Sequence, residues 1–284
     1  MSSSGRPRED RRGDEDYDRI EPAELAAALA AWDLPDLQDA EPFDRGSRRA
    51  PKLRLRTAGG ELLLKRRQPE QAGPRRVAFA HAALAHLAAR GVPVAAPIPD
   101  RRGRTAVRRP AGCYELFPFL PGRRPRPDAR SAEAAGGMLA RVHEAGADFA
   151  PPGPAEAGSW HAVADLPRTL EAVPRRVHRL DPGTDESDLA RCCRFLTRAY
   201  ELASERAAEA MAGPAGLVHG DWHPGNLLAH GGRLTAVLDF DAARLEPRVT
   251  DVANACLQFA VNRPSDDPRH WPGVLAYERI RAVV

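Results

Sequence analysis

The segment LVHGDWHPGN at residues 217–226 brings together residue types that can handle charge and protons. Asp221 and Asn226 lie five positions apart with a Pro-Gly bend between them, and an apolar run then leads to Asp239, thirteen positions after the asparagine. A carboxylate on such a loop can accept the proton of an attacking hydroxyl group, and carboxylate and amide oxygens suit Mg²⁺. The spacing indicates acid–base chemistry beside a hard cation.

Lysine is scarce in this chain. Of its 42 lysines and arginines, only Lys52 and Lys65 are lysines. Because the chain uses arginine almost everywhere, Lys65 at the end of the strand segment ELLLKR indicates a chemical role. An ammonium group supplies a compact positive charge for phosphate oxygens. A base, a metal site and this charge together favour phosphoryl transfer, which depends on positioning and charge compensation.

Each residue also has a structural interpretation. An Asp and an Asn in a loop commonly hydrogen-bond the local backbone and shape a turn, and Lys65 could be an ordinary strand-end charge. We expect His219 to hold the loop through backbone contacts, whereas His223 could either contact a phosphate or pack the loop. Asp241 could be a second metal contact or a structural carboxylate, and we expect His143 to be a satisfied helix histidine.

Composition narrows the class of protein. The 284 residues, 43% hydrophobic and with a formal net charge of +3, suit an ordinary globular chain with one large core or two lobes. No apolar run approaches a membrane span, and the polar N-terminus does not resemble a secretory signal, so we predict no membrane contact and a cytoplasmic location. The four cysteines lack zinc-ligand spacing, and the arginine runs are interspersed with acids, which argues against nucleic-acid binding.

Periodicity divides the chain into a polar tail and two structured parts. Residues 1–20 are predicted to be a disordered tail. Up to residue 120 the patterns predict two helices, at about 22–32 and 75–90, and two pairs of strands, the first a hairpin over 53–66. Residues 121–284 are mainly helical, with helices capped by Ser131 and Ser187, a second hairpin at 226–240 and a helix from about 249. The predicted fold class is α+β.

The motif HGDWHPGN followed by LDFD resembles the aminoglycoside phosphotransferase/choline kinase family, which shares the protein-kinase-like fold. ELLLKR resembles the strand that bears the family's nucleotide lysine, and YELFPFLPG resembles the strand and linker between the lobes. GMLARVHEAGADF resembles the following helix in the homoserine-kinase-like and spore-coat-kinase-like branches. The resemblance covers roughly residues 25–284. It implies a small β-rich N-lobe over 21–120 that binds nucleotide and a larger, mainly helical C-lobe over 121–284.

The resemblance also implies residue roles. Asp221 would be the catalytic base or the group that orients the acceptor hydroxyl. Asn226 and Asp239 would be the Mg²⁺ ligands, and Lys65 would contact the α- and β-phosphates of ATP. Asp251 would brace the catalytic loop.

Further residues would contact the nucleotide. Backbone groups at Phe117, Phe119 and Leu120 would hydrogen-bond adenine, and the loop around Gly46 and Ser47 would cover the phosphates.

The sequence departs from the family pattern at the lysine's partner. The helix after the lysine strand normally supplies a glutamate, yet RRVAFAHAALAHLAAR contains no acid. Glu70 is the nearest alternative, but it lies on the connecting loop only five positions after Lys65. Another group must serve, or the lysine lacks an orienting partner.

We therefore predict an ATP- and Mg²⁺-dependent phosphotransferase that acts on a hydroxyl group of a small molecule: an amino alcohol, a sugar, a homoserine-like compound or an aminoglycoside. The acidic segment LDPGTDESD could attract a polycationic aminoglycoside, but acids at a helix N-terminus also explain it. A non-catalytic nucleotide-binding pseudokinase with a regulatory role is the alternative, and a basic nucleic-acid-associated protein is a weaker one. The oligomeric state is not predicted.

Overall fold

The computed structural model describes residues 18–153, 165–265 and 270–284. Most of the predicted tail, residues 1–17, lies outside these ranges. Residues 18–20 already pack on the N-lobe, since Ile20 is buried and the Arg19 guanidinium lies 2.9 Å from Asp44. The predicted tail boundary at residue 20 therefore falls within structured residues.

An antiparallel sheet in the order β1-β2-β3-β5-β4 forms the N-lobe. Its strands are β1 (Leu37–Pro42), β2 (Lys52–Thr57), β3 (Gly60–Arg66), β4 (Val107–Arg109) and β5 (Gly112–Pro118). Because side chains alternate between the two faces of a strand, Leu53 and Leu55 of KLRLRT point to the same face. They are buried there in a core with Tyr114 and Leu116. The predicted β2–β3 hairpin is confirmed, and it places both lysines on the sheet.

Two helices accompany this sheet, α1 (Pro22–Leu29) and α2 (Pro74–Ala89). Both begin with a proline in the first turn, where the missing amide hydrogen costs nothing. Phe79 and Leu87 of α2 pack in the same core cluster as Trp222 and Phe240 of the C-terminal half. The helix α2 therefore fastens the N-lobe to the loops that carry the predicted site.

The C-lobe is mainly helical and carries two small antiparallel sheets. Its helices are α3 (Ala129–Ala145), α4 (Leu166–Leu180), α5 (Glu186–Ala210), α6 (Val249–Ala260) and α7 (Tyr277–Val283). Its strand pairs are β6 (Ala215–Val218) with β9 (Arg244–Pro247), and β7 (Leu227–His230) with β8 (Arg233–Val237). The α+β class and the two-lobed arrangement are confirmed.

Several elements differ from the prediction for physical reasons. Strand β1 was not predicted, because LQDAEP lies at the sheet edge, is largely exposed and shows no alternation. Helix α4 was not predicted either; it contains Pro174, a residue that normally interrupts a helix. Asp128 and Asp185, not Ser131 and Ser187, cap α3 and α5, since each aspartate accepts the amide of that serine.

A search of the described helices for a membrane-crossing segment, one both long and apolar enough, finds none.

Candidate active site

Strand β6 delivers the HGD segment into the interior, where Asp251 of α6 holds it. The Asp251 carboxylate accepts the backbone amides of His219, at 2.7 Å, and of Gly220, at 2.8 Å. His143 of α3 lies 3.1 Å from the same carboxylate. The bracing role implied for Asp251 is confirmed, and His143 is the satisfied helix histidine that we expected.

His219 joins this catalytic loop to the following metal loop, LDFD at residues 238–241. Its Nδ1 accepts the amide of Asp221 at 3.2 Å, so the other nitrogen, Nε2, carries the proton and donates to the carbonyl of Leu238 at 2.9 Å. Its ring also packs 4.6 Å from that of Phe240. The structural role predicted for His219 is confirmed.

Gly220 is required where the two loops touch. Its φ of +80° lies in the left-handed region, and a Cβ atom there would meet the carbonyl oxygen of Ala242 at 2.3 Å. Because a side chain would push the loops apart, the close approach depends on glycine.

Asp221 and Asn226 contact each other directly. The Asn226 side-chain nitrogen donates to the Asp221 backbone carbonyl at 2.9 Å and to its carboxylate at 3.2 Å. The amide oxygen of Asn226 is thereby left as the acceptor that a hard cation would use. The geometry fits the predicted division of roles between base and metal ligand.

His223 is the second partner of the Asp221 carboxylate. Its Nδ1 accepts the amide of Gly225 at 2.9 Å, and its Nε2 lies 3.4 Å from Asp221. Burial disfavours the charged form of Asp221, but its contact with His223 outweighs burial and lowers the Asp221 pKa. Asp221 is therefore a carboxylate at neutral pH, the form that a general base requires.

Asp239 has an unusual backbone conformation. Among the described residues it alone combines a side chain with a positive φ, +60°. Such strain is found at functional sites that the surrounding structure holds in place. The positive charge of Lys65 lowers the pKa of Asp239. Its side chain is 44% exposed, so a cation can reach an ionised carboxylate.

Lys65 meets the metal loop across the boundary between the lobes. Its Nζ lies 3.3 Å from an Asp239 oxygen and 2.6 Å from an Asp241 oxygen. Burial works against the charged ammonium, but these carboxylates outweigh it and raise the Lys65 pKa. Of these two carboxylates, that of Asp241 lies closer to the ammonium group. Glu70 instead pairs with Arg49 at 2.7 Å on the surface.

The four predicted central residues thus form one assembly. Lys65 contacts Asp239, and Asn226 contacts Asp221. The two halves are joined because the amide of Leu238, next to Asp239, donates to the carbonyl of Asn226 at 2.8 Å. Residues 174 positions apart are brought into contact where the N-lobe sheet meets the C-lobe loops.

The loop before β2 folds over the second lysine. Lys52 Nζ donates to the carbonyls of Arg45, at 3.0 Å, and Ala50, at 3.2 Å. Gly46 lies between them with a φ of +82°, and the hydroxyl of Ser47 accepts the side-chain nitrogen of Gln68 at 2.6 Å. The loop predicted to cover the phosphates is therefore tied to the same end of the sheet as Lys65.

Sequence analysis assigned no role to Lys52, although the scarcity of lysine in the chain was visible. In the sheet register Lys52 lies directly opposite Lys65. Burial, together with the charge of Lys65, lowers the Lys52 pKa to about 8. The signal in the sequence was that the chain's only two lysines flank a single hairpin.

The segment predicted to bind adenine is already partly engaged. The Phe119 amide donates to the carbonyl of Glu61 at 3.0 Å, so it is not available to a base. Its ring packs against Phe43 at 5.6 Å and under the Arg54 guanidinium at 4.5 Å.

Phe117 and Leu120 are both half-buried on either side of Phe119. Phe117 pairs with Leu63 in the sheet and packs edge-on against His81. Their contact with adenine stays a prediction.

The donor atoms fit a nucleotide-bound cation better than a site built from protein alone. No group of three or more His, Cys, Asp or Glu side chains in the described part of the chain is arranged to hold a metal ion. One carboxylate and one amide oxygen, from Asp239 and Asn226, are few ligands. Mg²⁺ in nucleotide sites takes the remainder from phosphates and water.

Comparison with known proteins agrees with this geometry. The family described as "Phosphotransferase enzyme family" matches residues 39–280. A homoserine kinase of Granulibacter bethesdensis is 30% identical over 245 residues, which are 84% of this chain and 70% of the relative. A homoserine kinase of Afipia carboxidovorans is 31% identical over 241 residues, covering 84% and 68%.

Solved structures show the same fold. A microcompartment-associated aminopropanol kinase superposes with a TM-score of 0.64 at 22% identity, over 83% of this chain and 74% of the other. An amicoumacin kinase, solved with AMP-PNP and Ca²⁺, superposes with a TM-score of 0.62 at 15% identity, over 93% and 76%.

Proposed function

The chain belongs to the phosphotransferase enzyme family, and from this premise we propose that it transfers the γ-phosphoryl group of ATP to a hydroxyl group of a small molecule. The observation that carries the proposal is the contact of Lys65 with Asp239 beside the Asp221–Asn226 pair. In one assembly these residues would supply a base, a pair of hard-cation ligands and a phosphate-binding charge. Phosphoryl transfer requires these parts together.

Asp221 is the base in this reaction. Its carboxylate accepts the proton of the acceptor hydroxyl while the new oxygen–phosphorus bond forms and the bond between the γ-phosphorus and ADP breaks. Its lowered pKa keeps it ionised, and the bond from Asn226 fixes its direction. The position of a base matters as much as its pKa.

Asn226 and Asp239 would hold Mg²⁺. When bound, Mg²⁺ neutralises the charge of the phosphate oxygens. Lys65 and Lys52 add two positive charges to the same region, opposite each other on β2 and β3. The loop with Gly46 and Ser47 would cover the phosphates.

Adenine would lie against the strand end at Phe117, Phe119 and Leu120. Because the amide of Phe119 already has a partner, the hydrogen bonds to adenine would come from other backbone groups of this segment.

The acceptor that we propose is a small hydroxylated metabolite of the homoserine type. Support comes from two relatives, about 30% identical, that are homoserine kinases. The acidic segment gives little support for an aminoglycoside, because two of its four acids serve the local structure. Asp181 accepts the hydroxyl of Thr184 at 2.7 Å, and Asp185 caps α5.

A coupled assay of ADP release across homoserine, amino alcohols, sugars and aminoglycosides tests the proposal. We expect one acceptor class to raise ADP release, and Asp221→Asn to reduce the rate about 10²–10⁴-fold while ATP binding persists. Asp188→Asn, an exposed acid on α5, is the matched control and should not change the rate. ATP binding without acceptor-dependent ADP release by the unaltered protein would favour the pseudokinase alternative.

A further inference from the structure

Lys65 needs an acid to hold it, and the usual source is absent. Helix α2 faces the site, yet PRRVAFAHAALAHLAA has no carboxylate. Asp239 alone is a poor substitute, because a metal ligand cannot also hold the lysine in one place throughout the reaction. A second acid that does not bind the metal ion could hold the lysine in place.

Asp241 has the geometry of that second acid. One of its oxygens lies 2.6 Å from Lys65 Nζ, and the other lies 2.6 Å from Nη2 of Arg67. Both oxygens are thus committed to cations of strand β3 and the residues just after it. Asp241 belongs to the C-lobe metal loop, so each of these contacts crosses between the lobes.

Arg67 is itself fixed on its remaining nitrogens. Its Nε donates to Glu115 at 2.5 Å, and its Nη1 donates to the carbonyl of Gln71 at 3.0 Å. The guanidinium is buried and has partners in three directions. Such a planar fork loses little freedom per bond and positions the group that it contacts.

Glu115 carries the connection back to α2. It lies opposite Lys65 in the register of β3 and β5 and is fully buried. His81 of α2 contacts the Glu115 carboxylate through Nε2 at 2.6 Å, and its Nδ1 lies 2.7 Å from the hydroxyl of Thr105. Helix α2 therefore contributes a histidine, His81, where the family pattern has an acid, and the carboxylate that this histidine contacts, Glu115, lies on strand β5.

We propose that Asp241 is the orienting acid for Lys65 and that Arg67, Glu115 and His81 are positioning residues that hold Asp241 in place. This rests on the proposed function of the same site. Because the orienting acid sits on the metal loop, Lys65 reaches its phosphate-binding position only when that loop is docked against the N-lobe. Nucleotide affinity then depends on contacts that do not touch the nucleotide.

Binding measurements separate this proposal from a purely structural role. Lys65 would contact phosphates, so its misplacement weakens ATP binding but not adenosine binding. We expect Arg67→Met and Asp241→Asn to lower ATP affinity about tenfold, with adenosine affinity unchanged. Arg67→Lys should restore part of the loss. Asp148→Asn, which breaks an exposed ion pair with Arg90, should change neither affinity.

A double-mutant cycle tests whether Asp241 acts through Lys65. If it does, Asp241→Asn has no further effect on ATP affinity in a Lys65→Met background. An equal loss in both backgrounds would overturn the proposal. ATP affinity is also measured in the presence of a chelator of Mg²⁺. If the loss of affinity in Asp241→Asn disappears without Mg²⁺, Asp241 acts as a metal ligand, and its role as the partner of Lys65 is refuted.

Folding is monitored by thermal unfolding, since these changes leave buried charges unpaired. Asp241→Glu keeps the charge and lengthens the side chain, so it should fold and still weaken ATP binding; full ATP affinity in this variant would contradict the proposal. The proposed function fails in a different way, when the unaltered protein binds ATP no better than adenosine or transfers no phosphoryl group.

Discussion

Lys52 and Lys65 lie directly opposite each other on the antiparallel strands β2 and β3. Ammonium groups on directly paired residues repel each other, and the two lysines have different partners. Lys65 has two carboxylates as partners, whereas Lys52 donates to two backbone carbonyls. Burial and this pairing together lower the pKa of Lys52.

ATP affinity should fall as pH rises through the pKa of Lys52, which burial and the charge of Lys65 lower to about 8. The ammonium is present below this pH and attracts the triphosphate, and it is lost above it. Calorimetric titration of ATP from about pH 7 to about pH 9.5 measures the effect. Lys52→Arg stays charged and should bind ATP equally across this range; the same decline in that variant would exclude Lys52 as the cause.

Asn226→Ala should raise the Mg²⁺ concentration needed for half-maximal activity by about tenfold or more, because a ligand and the support of Asp221 are lost together. Activity titrated with Mg²⁺ at saturating ATP measures this shift. His230→Ala, at an exposed position on the same hairpin, is the control. An unchanged Mg²⁺ requirement in Asn226→Ala would remove the residue from the proposed metal site.

Asp251→Ala should destabilise the protein by about 2–5 kcal/mol, because two buried amides, those of His219 and Gly220, lose their acceptor. Asp251→Asn keeps the shape and one acceptor oxygen, so its loss should be smaller. The free energy of unfolding in urea measures both. Equal stabilities of all three proteins would show that the brace contributes nothing.

The contribution of Asp251 should also depend on pH. Burial opposes its ionisation, but the bonds from His143 and the two amides outweigh it and lower the pKa in the folded state. Because the pKa of Asp251 is lower in the folded than in the unfolded state, its ionisation stabilises the fold at pH values above the unfolded-state pKa. The difference in free energy of unfolding between the unaltered protein and Asp251→Asn should therefore shrink as pH falls below about 4.

Gly220→Ala should destabilise the protein by about 2 kcal/mol or more, for two reasons. Alanine would have to adopt the left-handed backbone conformation, and its Cβ atom would clash with the carbonyl oxygen of Ala242. Gly137→Ala is the matched control. Gly137 lies in α3 with open space around its Cβ position, so alanine should stabilise the helix by about 0.5–1 kcal/mol. Urea unfolding of both variants checks the opposite signs, and a tolerated Gly220→Ala would contradict the tight contact of the two loops.

The grouping of Lys65, Asp221, Asn226 and Asp239 could be predicted because lysine and asparagine are scarce in the chain and the motifs are local. Asp221 and Asn226 are five positions apart, so their contact depends on one short loop. Lys65 ends a strand whose alternation is plain, and Asp239 follows an apolar run. The predicted helix caps, Ser131 and Ser187, lie three and two positions after the residues that cap the helices, Asp128 and Asp185. Sequence could not separate them, because serine and aspartate side chains can both accept a backbone amide at a helix N-terminus.

What could not be predicted depends on contacts between distant segments. The nearer of the two carboxylates that contact Lys65, Asp241, lies 176 positions away in the sequence, and no pattern in α2 indicates it. Lys52 acquires its lowered pKa only from burial and from the strand register that sets it against Lys65.

The sequence alone was enough to predict the family and the class of reaction, because HGDWHPGN, the following LDFD and the lysine strand are local motifs. Which carboxylates contact Lys65, and how Arg67, Glu115 and His81 connect to them, followed only from the tertiary structure. The physical reason is that a buried charge takes its partner from whatever the fold brings within hydrogen-bond distance, and sequence separation places no limit on that choice.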